Sequence, residues 1–177
     1  MKKFLNILIV VIAFSFSGCE KDDICASTTP TTPRLVVDFY DKDNPDARKN
    51  LSNLKAVATG ETDGVIFNES ASATSATKYY ATGNSISLPL RLNAQTTEYA
   101  LTLYADDTQL TNTDIISFNY STRQIYVSRA CGYKTNFRLN VEDAISRPND
   151  GSEWINNVTI ETPNIESENE THIKIYF

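Results

Sequence analysis

Histidine, tryptophan and cysteine are scarce in this chain of 177 residues, with one His, one Trp and three Cys, and past the first few residues Lys and Arg nowhere gather into a cluster. Each scarcity closes off a chemistry. A lone imidazole, His172, cannot supply a zinc site and leaves a nucleophilic Ser or Cys just one candidate base. Its parity, shared with Glu170, Lys174 and Tyr176, assigns it to the solvent face of a strand. Neutralising a phosphate backbone requires a basic patch, so nucleic acid is excluded as a partner. Gly60 and Gly64 lack the spacing of a phosphate-cradling loop. The longest apolar run, Phe4 to Phe16, falls short of the ~20 residues that span a bilayer. No metal or other cofactor is expected, and an enzyme is the least expected class; paired carboxylates are plentiful, but a small all-β domain offers them no evident cleft.

What is present begins with residues 1–18. Lys2 and Lys3 precede the apolar run, and the small residues Ser17 and Gly18 stand directly before Cys19, the pattern of a cleaved secretory signal. The arrangement resembles the bacterial lipobox, which implies a diacylated Cys19 as the first residue of the mature protein, although Phe16 stands where Leu is usual. Without those residues the formal net charge moves from −6 to −8, because two of the 16 basic residues leave. Lys21, Asp22 and Asp23 resemble the lipoprotein export signal of Bacteroidota, which implies the outer face of the outer membrane. Residues 19–33 form a Thr- and Pro-rich tether. With Cys19 lipidated, two cysteines remain in an exported chain, and the arithmetic pairs Cys25 with Cys131.

Residues 34–177 read as one domain of nine or ten strands, an antiparallel β-sandwich of Greek-key type. Leu35, Val37 and Phe39 alternate with Val36, Asp38 and Tyr40; Asp41 to Asn44 is a turn, and Pro45 to Asn50 one helical turn. A weak strand covers Leu54 to Ala58, and Gly60 and Gly64 bracket a hairpin turn leading to a strand at Val65 to Phe67. Ser70 to Thr77 is a low-complexity loop. Pro89 cannot donate to a ladder, which sends the strand holding Ile86, Leu88, Leu90 and Leu92 to a sheet edge. Tyr99, Leu101 and Leu103 mark the next strand, and Ile116, Phe118 and Tyr120 another. Ser121 to Gln124 reads as a tight turn into the stretch Ile125 to Val141, whose Ile125, Val127, Tyr133, Phe137, Leu139 and Val141 share one parity. Cys131 and Arg129 share it too. Either Arg129 is paired on the core face, or a bulge at Gly132 turns it to solvent. Past the turn at Pro148 to Gly151, Trp154, Val158, Ile160, Ile173, Ile175 and Phe177 supply the remaining apolar positions.

The segments CEKDDIC, TPRLVVDFYD, SISLPL, YVSRACGYKT and HIKIYF together resemble an uncharacterised family of Bacteroidota lipoproteins, domain of unknown function 6452. The resemblance implies a lipid-anchored envelope protein and carries no catalytic residues with it. Two functions remain in view. One is a non-catalytic accessory protein that binds another envelope protein at the outer membrane. The other is a surface carbohydrate-binding module stacking sugars on Tyr104, Tyr126 and Tyr176, which share the outward parity.

Overall fold

A computed structural model describes residues 24–149 and 151–177; Cys19, Lys21, Asp22 and Asp23 lie outside them. Two units emerge. The larger comprises Pro30–Ile125 with Lys134–Phe177, and the smaller joins Tyr126–Tyr133 to the chain that ends at Thr29.

The larger unit is the expected β-sandwich, with no α-helix among the described residues. Its strands are β1 (Leu35–Tyr40), β2 (Lys55–Ala58), β3 (Ser85–Leu88), β4 (Thr96–Leu103), β5 (Asn112–Ser128), β6 (Gly132–Leu139), β7 (Ile145–Ser146), β8 (Asn157–Ile160), β9 (Asn164–Ile165) and β10 (Ile173–Tyr176), the last residues of β5 and the first of β6 passing into the smaller unit. One sheet has the order β3-β1-β10-β8, the other β2-β4-β5-β6-β9 with β7 also on β5. All of the pairings described are antiparallel except one. β1 and β10 run parallel, Val37 beside Ile173 and Tyr40 beside Tyr176. β3 is an edge strand that stops directly before Pro89, as the missing donor requires.

The alternation of side chains decides which face packs. Leu35, Val37 and Phe39 of β1 meet Ile173 and Ile175 of β10 and, from the other sheet, Tyr99, Leu101, Ile116, Phe118, Phe137 and Leu139 in one core. Truncating such a residue, Phe118→Ala for instance, costs about 3–5 kcal/mol in lost transfer energy and cavity. Trp154 stitches the sheets together: its ring stacks on Phe39 at 6.4 Å, meets Phe177 edge-on at 5.5 Å, and its Nε1–H donates to the Leu101 carbonyl at 3.0 Å. The exit from β3 is held by two tyrosines, whose hydroxyls donate to the carbonyls of Pro89 (from Tyr99) and Arg91 (from Tyr120).

Three sequence expectations fail here. Residues Pro45 to Asn50 form no helix; Asp41 Oδ1 accepts from the amides of Asp43 and Asn44, a tight turn follows, and Arg48 returns to bridge Tyr40. Val65 to Phe67 touches β2 through the Val65 amide on the Ala56 carbonyl without becoming a strand. Ser121 to Gln124 is no turn: β5 runs straight through it, and the hairpin closes later, at Arg129 to Cys131. Gly132, at φ +69°, supplies the left-handed residue that closes it, in keeping with the break between two strands that a glycine at this place suggests.

In the smaller unit, Cys25 and Cys131 form the expected disulfide, with Cα atoms 4.9 Å apart. Cys131 lies in the hairpin turn rather than on a core-facing strand, and its amide donates to Ser128 Oγ at 3.1 Å. Arg129 is exposed in the same turn. The shared parity therefore does not mean a shared core: Phe137 and Leu139 are buried, whereas Tyr133 is 66% and Val141 88% exposed.

Candidate binding site

The largest concavity described is an open, polar cleft of about 890 Å³ in the larger unit. It runs along β3, taking in Ser85, Ile86 and Ser87, and is walled by the segment from Ile66 to Glu69 and by Asn53 with Asp106. Those two are joined by a 2.7 Å hydrogen bond from Asn53 Nδ2 to Asp106 Oδ2. At one end Arg34 grips Glu168: its guanidinium reaches both carboxylate oxygens, at 2.7 and 3.0 Å, and its amide donates to Oε1 at 3.0 Å. Those bonds raise the Arg34 pKa and lower that of Glu168, and the charge of Glu69 acts on Arg34 in the same sense.

Backbone chemistry is the distinctive feature of this cleft. Phe39 N–H donates to the Asn84 carbonyl at 2.9 Å, and the register places Val37 opposite Ile86 and Leu35 opposite Leu88. In an antiparallel ladder alternate residues turn their amides and carbonyls toward the partner, so those of Ser85 and Ser87 point the other way. β3 ends the sheet on that side, leaving two donors and two acceptors at the cleft with no backbone partner among the described residues. Sequence reasoning found the edge through Pro89. It missed the cleft, because Asn53, Glu69 and Asp106 come together only through folding.

The residues singled out for sugar stacking fall on three separate elements. Tyr104 follows the end of β4 at φ +53°, its amide on the Ser52 carbonyl, and is partly exposed. Tyr126 is 55% exposed and meets Tyr133 at 5.3 Å in the smaller unit. Tyr176 lies on β10 against Tyr40, with ring centroids 5.7 Å apart, and the cations of Arg48 and Lys174 sit over the Tyr40 ring.

His172 is the clearest departure. Instead of facing solvent it is fully buried, and its Nδ1 accepts the Val36 amide at 2.9 Å. The outer face of the four-stranded sheet is itself covered: Val36 and Asp38 beside it are buried too, and Asp38 Oδ2 accepts from Arg48 at 2.5 Å and from Thr171 Oγ1 at 2.6 Å. Burial pushes the His172 pKa down, opposed by the charges of Glu170 and Glu168. The histidine does not line the cleft, and among the described residues no group of His, Cys, Asp and Glu is placed to hold a metal ion.

A cleft of hydroxyls, amides and free strand edge, with its arginine already paired, can align an extended chain by hydrogen bonding. No curated protein and no solved structure matches the chain. Family membership is visible instead at the level of the domain: residues 53–177, from the Asn53 wall of the cleft through β10, match the family of unknown function DUF6452, and the chain belongs to that family.

Proposed function

We propose that this is a lipid-anchored envelope protein, acylated at Cys19 and held at the outer membrane of a Bacteroidota-type cell, that acts without catalysis by binding another envelope protein. The observation that carries the binding role is the free edge of β3 inside the cleft. Strand addition to such an edge gains main-chain hydrogen bonds, each worth about 0.5–1.5 kcal/mol net, and draws specificity from the flanking side chains. The anchor rests on the signal pattern ending at Cys19, and surface display on Lys21, Asp22 and Asp23.

A photoactivatable crosslinking residue at Ser87 tests the binding role in living cells. One dominant envelope partner, lost when Ser85 and Ser87 are both replaced by proline, is the expected result; capture equal to that from a site far from β3 would refute it. Mass spectrometry should find an acylated N-terminal Cys19, and external protease should remove the protein from intact cells unless Lys21, Asp22 and Asp23 are replaced by alanine. Carbohydrate binding is the weaker reading, since Tyr176 packs on Tyr40 and Tyr104 lies in the turn after β4 of the other sheet. Glycan binding abolished by Tyr104→Ala, Tyr126→Ala or Tyr176→Ala would restore it.

A further inference from the structure

The disulfide changes the length of the leash. Measured along the chain, β1 begins sixteen residues after Cys19, a reach of about 55 Å when extended. Cys25 follows Cys19 by only six residues, so whatever is bonded to Cys25 cannot lie more than about 20 Å from residue 19. What is bonded to it is the turn of the β5–β6 hairpin, at Cys131.

That turn carries the chemistry of a bilayer interface. Tyr126 and Tyr133 stand exposed as an edge-on pair, Ile24 beside the clamp is 84% exposed, and Arg129 projects from the turn itself. Tyrosine favours the headgroup level, where its ring is apolar and its hydroxyl wet. Charge agrees. The chain as a whole is acidic, yet the hairpin segment of the smaller unit, Tyr126 to Tyr133, contains Arg129 and no carboxylate. The acidic residues Glu20, Asp22 and Asp23 lie on the leash and not on the hairpin.

We infer that the hairpin turn is a membrane-contacting surface: the Cys25–Cys131 bond holds it against the anionic headgroups of the leaflet that carries the Cys19 lipid, with Tyr126 and Tyr133 at headgroup depth and Arg129 on lipid phosphate. This rests on the lipid-anchored reading above. An aromatic pair that would be a liability on a free surface is thereby covered.

The test uses the full-length protein, oxidised and reconstituted in vesicles of phosphatidylethanolamine and phosphatidylglycerol, with tyrosine nitration mapped peptide by peptide. Tyr104, exposed and in the other unit, serves as the internal standard. A second form carries a Gly/Ser spacer of about twenty residues between Asp23 and Ile24, which slackens the leash while leaving the disulfide in place. Tyr126 and Tyr133 should be nitrated several-fold more slowly, relative to Tyr104, in the native form than in the spacer form. Arg129→Glu should lose part of that protection. Equal ratios in both forms, on protein shown by mass spectrometry to be acylated at Cys19, overturn this inference alone. An unmodified Cys19 overturns the anchored reading and this inference with it.

Discussion

Lowering the pH from 7.5 to 5 should destabilise this protein through His172, and the structure sets the size of the effect. The ring is fully buried, and because Nδ1 accepts the Val36 amide, the neutral imidazole carries its proton on Nε2. A second proton would have to sit on Nδ1 and expel the Val36 N–H, leaving a buried donor unmet at a cost of about 1–3 kcal/mol. Burial of the charge adds to that cost, while Glu170 and Glu168 offset part of it, and the net direction is downward from 6.5. The unfolded chain therefore takes up a proton near pH 6.5 that the folded chain refuses until lower pH. The contribution to stability is complete above 6.5 and is lost as pH falls through the folded value, each unit of lowering corresponding to about 1.4 kcal/mol. Urea unfolding of the oxidised protein at pH steps from 7.5 to 5 measures it. His172→Gln is the reference, since its amide oxygen can accept from Val36 and does not titrate; carboxylates titrate alike in both. Wild type should lose up to about 2 kcal/mol relative to the variant across this range, the ceiling for a single group of unfolded pKa 6.5 that stays neutral in the fold down to pH 5. A constant difference, or a wild type that gains stability as pH falls, would refute the reasoning.

Two further outcomes follow from side chains already described. The Cys25–Cys131 bond spans 106 residues of sequence, and removing it as Cys25→Ser with Cys131→Ser should lower unfolding free energy by about 3–5 kcal/mol, read from urea midpoints without reductant. At Asp38, the two partners should be unequal. Arg48→Ala leaves a buried carboxylate supported by Thr171 alone and should cost about 3 kcal/mol, whereas Asp38→Asn frees a half-exposed guanidinium and should cost about 1 kcal/mol; thermal or urea denaturation that finds the reverse order would show that the guanidinium, not the carboxylate, is the costly group to strand.

Much of the sandwich was legible because alternation reports the face of a strand. Tyr99, Leu101 and Leu103, and then Ile116, Phe118 and Tyr120, are all buried as their spacing implies, and Pro89 placed its strand at an edge. Alternation does not report whether the opposite face is covered as well. That is why His172, on the parity assigned to solvent, turns out to be as buried as Ile173 beside it, its ring accepting the amide of Val36, a residue 136 positions away in sequence. Ser121 to Gln124 misled for the opposite reason. All four are exposed, so no core marks either face, and a polar run in a strand without a core reads like a turn. The cleft was illegible beyond its edge strand. Its walls come from stretches far apart in sequence, and only the closed fold brings Asn53 to Asp106 or Arg34 to Glu168.

The parallel pairing of β1 with β10 has a kinetic side. Val36 and His172 exchange hydrogen bonds across 136 residues, and the four-stranded sheet has no centre until that contact forms. Loop closure on this scale must precede the pairing of β1 with β10, although β1 can pair earlier with β3, and topology places the chain among slow folders despite its modest size. A chain emerging progressively from the ribosome would hold Leu35 to Tyr40 waiting, with one side of β1 open, until Ile173 to Tyr176 is made. The contact that completes the four-stranded sheet is thus one that synthesis permits only when the last strand has been made.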